Sequence, residues 1–96
     1  MDETGAMPTE SLNVDQMIMM MIEQMASVGW QKLGLQPDML TGRIEKDLAQ
    51  AKTAIDVTTH LSTFIEPKLD EEDKRRIHAL IRGLRMNWVQ KSGESS

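Results

Sequence analysis

Apolar residues between Val14 and Leu33 recur at steps of three and four, the spacing that predicts a helix over about residues 13–33. Asn13 can cap its start, and Gln16, three residues later, completes a capping-box pattern. Gly34 supplies a left-handed residue past its end, and Leu35 the apolar residue that usually follows one. A second helix is expected over about 44–66, beginning somewhere between Thr41 and Asp47. Its seam is Ile44, Leu48, Ala51, Ile55, Thr58, Ser62 and Ile65, widened by Ala54 and Leu61, and Pro67 ends it. Asp70 can cap a third helix over about 71–91, with Leu69 placed as a hydrophobic staple. The third seam is Ile77, Leu80, Ile81, Leu84 and Trp88, with His78, Arg82, Arg85 and Val89 on the opposite face. No alternating run is long enough for a strand.

These elements predict an all-α three-helix unit, a helical hairpin plus a third helix with antiparallel neighbours, over residues 12–91. Residues 1–11 and 92–96 are polar and read as flexible tails. The first two helices are expected to pack through Met21, Met25, Ile55 and Ile44, and the third to close the core.

The first helix is too apolar for that arrangement. On a helical wheel Met17, Ile18, Met21, Ile22, Met25, Ala26, Val28 and Gly29 fill an arc of roughly 200°, against a little over 100° for an ordinary amphipathic helix. Five methionines fall within nine residues, from Met17 to Met25. Met17, Met21 and Met25 lie at the centre of the arc and suit a core. Met20 sits among Gln16, Glu23, Gln24, Ser27 and Gln31 on the polar side, and Met19 and Trp30 lie at the border. Methionine repacks against varied surfaces, and exposed apolar patches mark contacts. The expected partner surface is therefore Met19, Met20 and Trp30, joined by Met17, with Arg82 and Arg85 setting orientation.

Composition narrows the chemistry. The 96 residues suit one domain, whose core supplies about 3–5 kcal/mol unless something staples it. There is no cysteine, hence no disulfide, and only His60 and His78 offer imidazole. Completion by oligomerisation or by a partner is the remaining staple. The acidic start, Met1-Asp2-Glu3, is unlike a signal peptide, and the longest apolar run, Met17 to Ile22, is far short of the ~20 residues that span a bilayer. A cytoplasmic location is expected.

Net charge is −4, which argues against broad nucleic-acid binding. The stretch Lys74–Lys91 nevertheless holds six bases and no acid, after the acids Asp70–Asp73. That order suits a helix macrodipole first and a basic docking face second. Clustered thioethers permit copper(I), but the setting is apolar and lacks nearby His or Cys, so neither metal nor cofactor is expected. Asp56 and His60 stand four apart and read as a solvated pair. No Gly-rich phosphate loop, nucleophile triad, zinc spacing or Glu-x-x-His pair is present, and no enzyme is expected.

Gly34, Pro37 with Thr41-Gly42, Asp47-Leu48, Gln50-Ala51, Ile55-Asp56, Leu69 before a run of acids, and Leu84-Arg85 together resemble a family of short bacterial proteins, the domain of unknown function 1844. The resemblance covers about residues 16–89. It implies three helices and a cytoplasmic bacterial protein, and supplies no activity, cofactor or catalytic residue. Two features depart from it: the Met-rich first helix, and the connection Glu66-Pro67-Lys68 in place of a Gly-Asn-type turn. The expected function is a small non-catalytic accessory or adaptor subunit docking on a larger protein through its first helix. The alternatives are a self-contained homo-oligomer, or an RNA- or ribosome-associated factor using the basic third helix.

Overall fold

A computed structural model describes residues 11–95. Residues 1–10 of the expected N-terminal tail and Ser96 of the expected C-terminal tail lie outside the described residues. The order is α1 (Val14–Lys32), α2 (Leu48–Ile65), one 3-10 turn (Glu66–Lys68) and α3 (Glu71–Ser95), with no strand among the described residues. The fold is all-α.

Each helix begins where a short polar side chain satisfies an amide that the first turn leaves without a partner. Asn13 Oδ1 accepts from Gln16 N–H at 3.1 Å, Asp47 Oδ1 from Gln50 N–H at 3.1 Å, and Asp70 Oδ1 from Asp73 N–H at 2.8 Å. α1 ends in a Schellman motif. Gly34 N–H donates to the Gln31 carbonyl at 3.0 Å, and Leu35 N–H to that of Trp30 at 3.1 Å. Gly34 has φ +81°, and a Cβ there would stand 3.2 Å from Lys46 Cβ. Gly34→Ala is expected to cost about 1–2 kcal/mol, from left-handed strain and crowding together, read as a lower midpoint in urea unfolding.

α1 and α2 pack antiparallel through small residues. Ala26 and Gly29 meet Ala51 and Ala54, and a Cβ on Gly29 would lie 3.6 Å from Ala54 Cβ. One core cluster joins Ala26, Leu33, Ala51, Ile55 and Leu84; a second joins Ile22, Ile65, Ile77 and Ile81. α3 returns along α2 and touches α1 more lightly, at Gly29 against Leu84 and Trp30 against Gly83. Trp88 Nε1–H donates to the Leu48 carbonyl at 2.8 Å and ties the far part of α3 to the start of α2. Lys68 holds Asp15 at 3.0 Å across the other end. The buried hydroxyls of Thr58 and Ser62 donate back to the Ala54 and Thr59 carbonyls, so neither is orphaned.

The α3 seam lies where its periodicity puts it: Ile77, Ile81 and Leu84 are buried, and Leu80 and Trp88 pack on them. Three expectations are corrected. The second helix starts at Leu48, because Asp47 caps it and spends its own N–H on the Lys32 carbonyl at 2.8 Å. Ile44 is thereby left in the connection, 59% exposed, and makes no helix seam with Met21 or Met25. The third helix runs on to Ser95, through the expected tail; nothing after Lys91 breaks it, and Glu94 reaches back to Lys91 at 3.6 Å.

The third correction concerns the rotation of α1. Its buried residues are Ile22, Ala26, Gly29 and Gln31, with Leu33 just after them. Met17 and Met21, read as core, are exposed, and Met25 is half-buried. Met19 and Trp30, read as partner-facing, pack on the chain's own core. Close approach to α2 selects the small residues, and an unbranched methionine is too long for that seam.

Candidate functional site

α1 carries two apolar stripes, about 130° apart at 100° per residue. One is Ile22, Ala26, Gly29 and Leu33, and it is buried. The other is Val14, Met17, Met21, Gln24 and Val28, flanked by Met20 and Met25, and it forms a shallow face turned away from the core. Met20 is 55% exposed and Met21 45%. No charged residue interrupts this second stripe, and Gln24 is its one polar member.

The α1–α2 connection extends the face. Gln31, expected on the polar side, is buried because the connection folds over it. Its Nε2 donates to Ser27 Oγ at 3.3 Å and its Oε1 accepts from Met39 N–H at 3.0 Å. Met39 is thereby seated beside Met20 and Gln24. Asp38 organises the tip. Its Oδ1 accepts from Leu40 N–H at 2.8 Å and Thr41 N–H at 3.1 Å, while its backbone closes on Gly42 and Arg43. The result is an ordered turn that holds Leu40 out at 91% exposure and Met39 at 68%. The backbone of the turn is bonded throughout while its apolar side chains stand in water.

The amides of Leu40 and Thr41 hold the Asp38 carboxyl below its usual 3.8; partial burial opposes them, and Lys32, 3.6 Å away, assists. The folded form thus binds this proton more weakly than the unfolded chain. The carboxylate's contribution to the turn is full above the ordinary range and is lost as pH falls through the lowered value. The Leu40 and Thr41 amide resonances are expected to shift on acidification with a midpoint below the ordinary aspartate value. Asp38→Asn should remove that step.

His78, Arg82 and Arg85 of α3 border a groove against α2 of about 400 Å³, with Thr59, Thr63, Ile81 and Met86. His78 Nε2 lies 2.9 Å from Glu66 Oε2, and Arg85 donates to Thr59 Oγ1 at 3.3 Å. Arg82 stands between them with no ion partner among the described residues. Asp56 pairs with Lys52 at 3.0 Å instead of His60, whose ring meets Phe64 edge-on at 5.2 Å.

Of the residues expected to face a partner, Met17 and Met20 lie on the outer α1 face, and Arg82 and Arg85 in the α2–α3 groove. Met19 and Trp30 lie on neither. Sequence reasoning missed Met21, Val28, Met39 and Leu40 as surface. The spacing of 14, 17, 21, 24 and 28 was the available signal for the first two; for Met39 and Leu40 it was an aspartate followed by Thr-Gly. Among the described residues no group of three or more His, Cys, Asp or Glu could hold a metal ion. No helix among them is long and apolar enough to cross a membrane.

A family model described as a domain of unknown function (DUF1844) matches residues 15–90. No curated protein and no solved structure matches the chain.

Proposed function

We propose, from the premise that the chain belongs to the DUF1844 family, that it is a small non-catalytic accessory subunit, which docks on a larger protein through the outer face of α1. The observation that carries this reading is the uncharged methionine stripe at heptad spacing on the side of α1 away from the core. The distribution of apolar residues supports it. Seven of the large apolar side chains described are buried, whereas twelve are substantially exposed, Met17, Met20, Met21, Met39 and Leu40 among them. Flexible thioethers suit a face that must fit another protein's relief. Arg82 and Arg85, across the molecule, would set orientation against acidic parts of the same partner.

The test is the composition of the native complex recovered at low salt from the cells that make the protein. A foreign protein at fixed ratio is expected. It should be lost in Met20→Glu, while the thermal melt of the chain is unchanged, because Met20 is outside the core. A complex that survives Met20→Glu intact would show this surface to be wrong. Salt-sensitive RNA binding, abolished by Arg82→Glu with Arg85→Glu, would favour a nucleic-acid role for α3 instead.

A further inference from the structure

We propose that Met20, Met21 and Met39 form an oxidation site, at which peroxides turn the outer face of α1 from apolar to polar without unfolding the chain. The consequence for docking rests on the reading of that face as an interface.

The sulfurs are concentrated where an oxidant reaches them. Five methionines among the described residues are exposed, and four of them, Met17, Met20, Met21 and Met39, lie on or beside this face. Met17 is the least open of the four, and Met19 and Met25 are half-buried. The chain has no cysteine, whose thiolate would otherwise react first. The step itself is simple. A lone pair on the thioether sulfur attacks one peroxide oxygen, an S–O bond forms as the O–O bond breaks, and the other oxygen leaves as water. Sulfur gives up two electrons and the peroxide takes them, so the products are one sulfoxide and one water.

Two observations give the modification its consequence. The first is the lack of donors on the face. A sulfoxide oxygen is an acceptor, and burying it against another protein is costly unless an N–H meets it. The stripe carries no charged side chain, its interior amides are held in the α1 ladder, and Gln24 is its one side chain with an N–H to offer. One amide cannot serve three sulfoxides. The second is that the fold does not depend on these thioethers. No methionine is among the buried members of either core cluster, and Met19 is the one methionine that packs on them. Met39 is seated by its backbone N–H on Gln31 Oε1 at 3.0 Å, a bond that oxidation of the side chain leaves in place.

Hydrogen peroxide added to the purified full chain, followed by mass spectrometry, tests the site. Met20, Met21 and Met39 are each expected to take up one oxygen about threefold faster than Met19 and Met25, or more. Retention on a phenyl column should fall as they do so, at unchanged helical circular dichroism. Most of that fall should vanish in the combined variant Met20→Leu, Met21→Leu and Met39→Leu, and most of it should persist in Met86→Leu. Prior oxidation of Met19 or Met25, loss of helical signal as the three oxidise, or an undiminished response in the combined leucine variant would each overturn the site. The docking arm uses chain oxidised alone, quenched with free methionine, and offered to the foreign protein recovered with the reduced chain. Binding is expected to weaken at least about tenfold and to return after treatment with methionine sulfoxide reductases of both stereospecificities. Unchanged binding, in a protein whose complex Met20→Glu does strip, would overturn the inference and leave the accessory reading standing. A complex indifferent to both treatments would overturn both. If no foreign protein is recovered, the accessory reading fails by itself, and the mass and retention measurements still decide the site.

Discussion

Leu84→Ala is expected to cost about 3–5 kcal/mol, which is comparable to the whole stability of a core this small, and to leave the chain largely unfolded at 37 °C. Leu84 is fully buried where the three helices converge. It packs in the cluster of Ala26, Leu33, Ala51 and Ile55, and its Cδ2 lies 3.4 Å from where a Cβ on Gly29 would stand. The neighbours decide the size of the effect. A cavity shrinks when surrounding side chains can swing into it; Leu33 and Ile55 can in part, but Ala26, Ala51 and Gly29 have nothing to swing. The α1 and α2 backbones are already at close approach through those residues and cannot collapse further. The void therefore persists, which places the cost toward the upper part of the range. Helical circular dichroism followed in urea measures it directly. Val89→Ala, on the same helix but 65% exposed, should shift the midpoint by no more than about 0.5 kcal/mol. A small loss in Leu84→Ala would mean that α3 does not close this core.

The contrast between α3 and α1 shows what the sequence makes legible. α3 has one apolar stripe, and its seam from Ile77 to Trp88 can be read directly. α1 has two, and a wheel merges them into one broad arc whose centre, near Met25 and Ile18, belongs to neither. Large apolar residues weigh most in such a reading, yet close helix packing is set by the small ones, Ala26 and Gly29. Capping was legible at Asn13 and Asp70. At Asp47 the cap competes with Ile44, which continues the helical period backward, and only the bond from Asp47 N–H to the Lys32 carbonyl decides between them. The burial of Gln31 has no local signature, because its partner amide at Met39 is brought over by the fold of the connection. The candidate surface was therefore half legible. Met17 and Met20 could be placed from spacing and excess, whereas Met39 and Leu40 depend on the turn that Asp38 builds.

The second large effect separates packing from hydrogen bonding at Trp88. Its ring packs on the Leu84 cluster, and its Nε1–H reaches the Leu48 carbonyl at 2.8 Å, joining residues forty positions apart. Trp88→Phe keeps most of the packing and removes the donor. The Leu48 carbonyl keeps its place in the α2 backbone ladder, so no acceptor is stranded, and the expected loss is about 1 kcal/mol. Trp88→Ala removes the ring as well. The site is only partly buried, which puts that loss at about 2–3 kcal/mol, below the range for a fully buried aromatic. The two variants should also differ in where they act. Trp88 ties the C-terminal part of α3 to the start of α2, so Trp88→Ala should speed amide exchange from Val89 onward before the hairpin responds. Trp30, the other tryptophan, lies against Gly83 and reports on the α1–α3 contact by fluorescence. In Trp88→Phe its emission should be unchanged until global unfolding. An early red shift there would mean that the Trp88–Leu48 bond, and not the Leu84 cluster, holds α3 against α1.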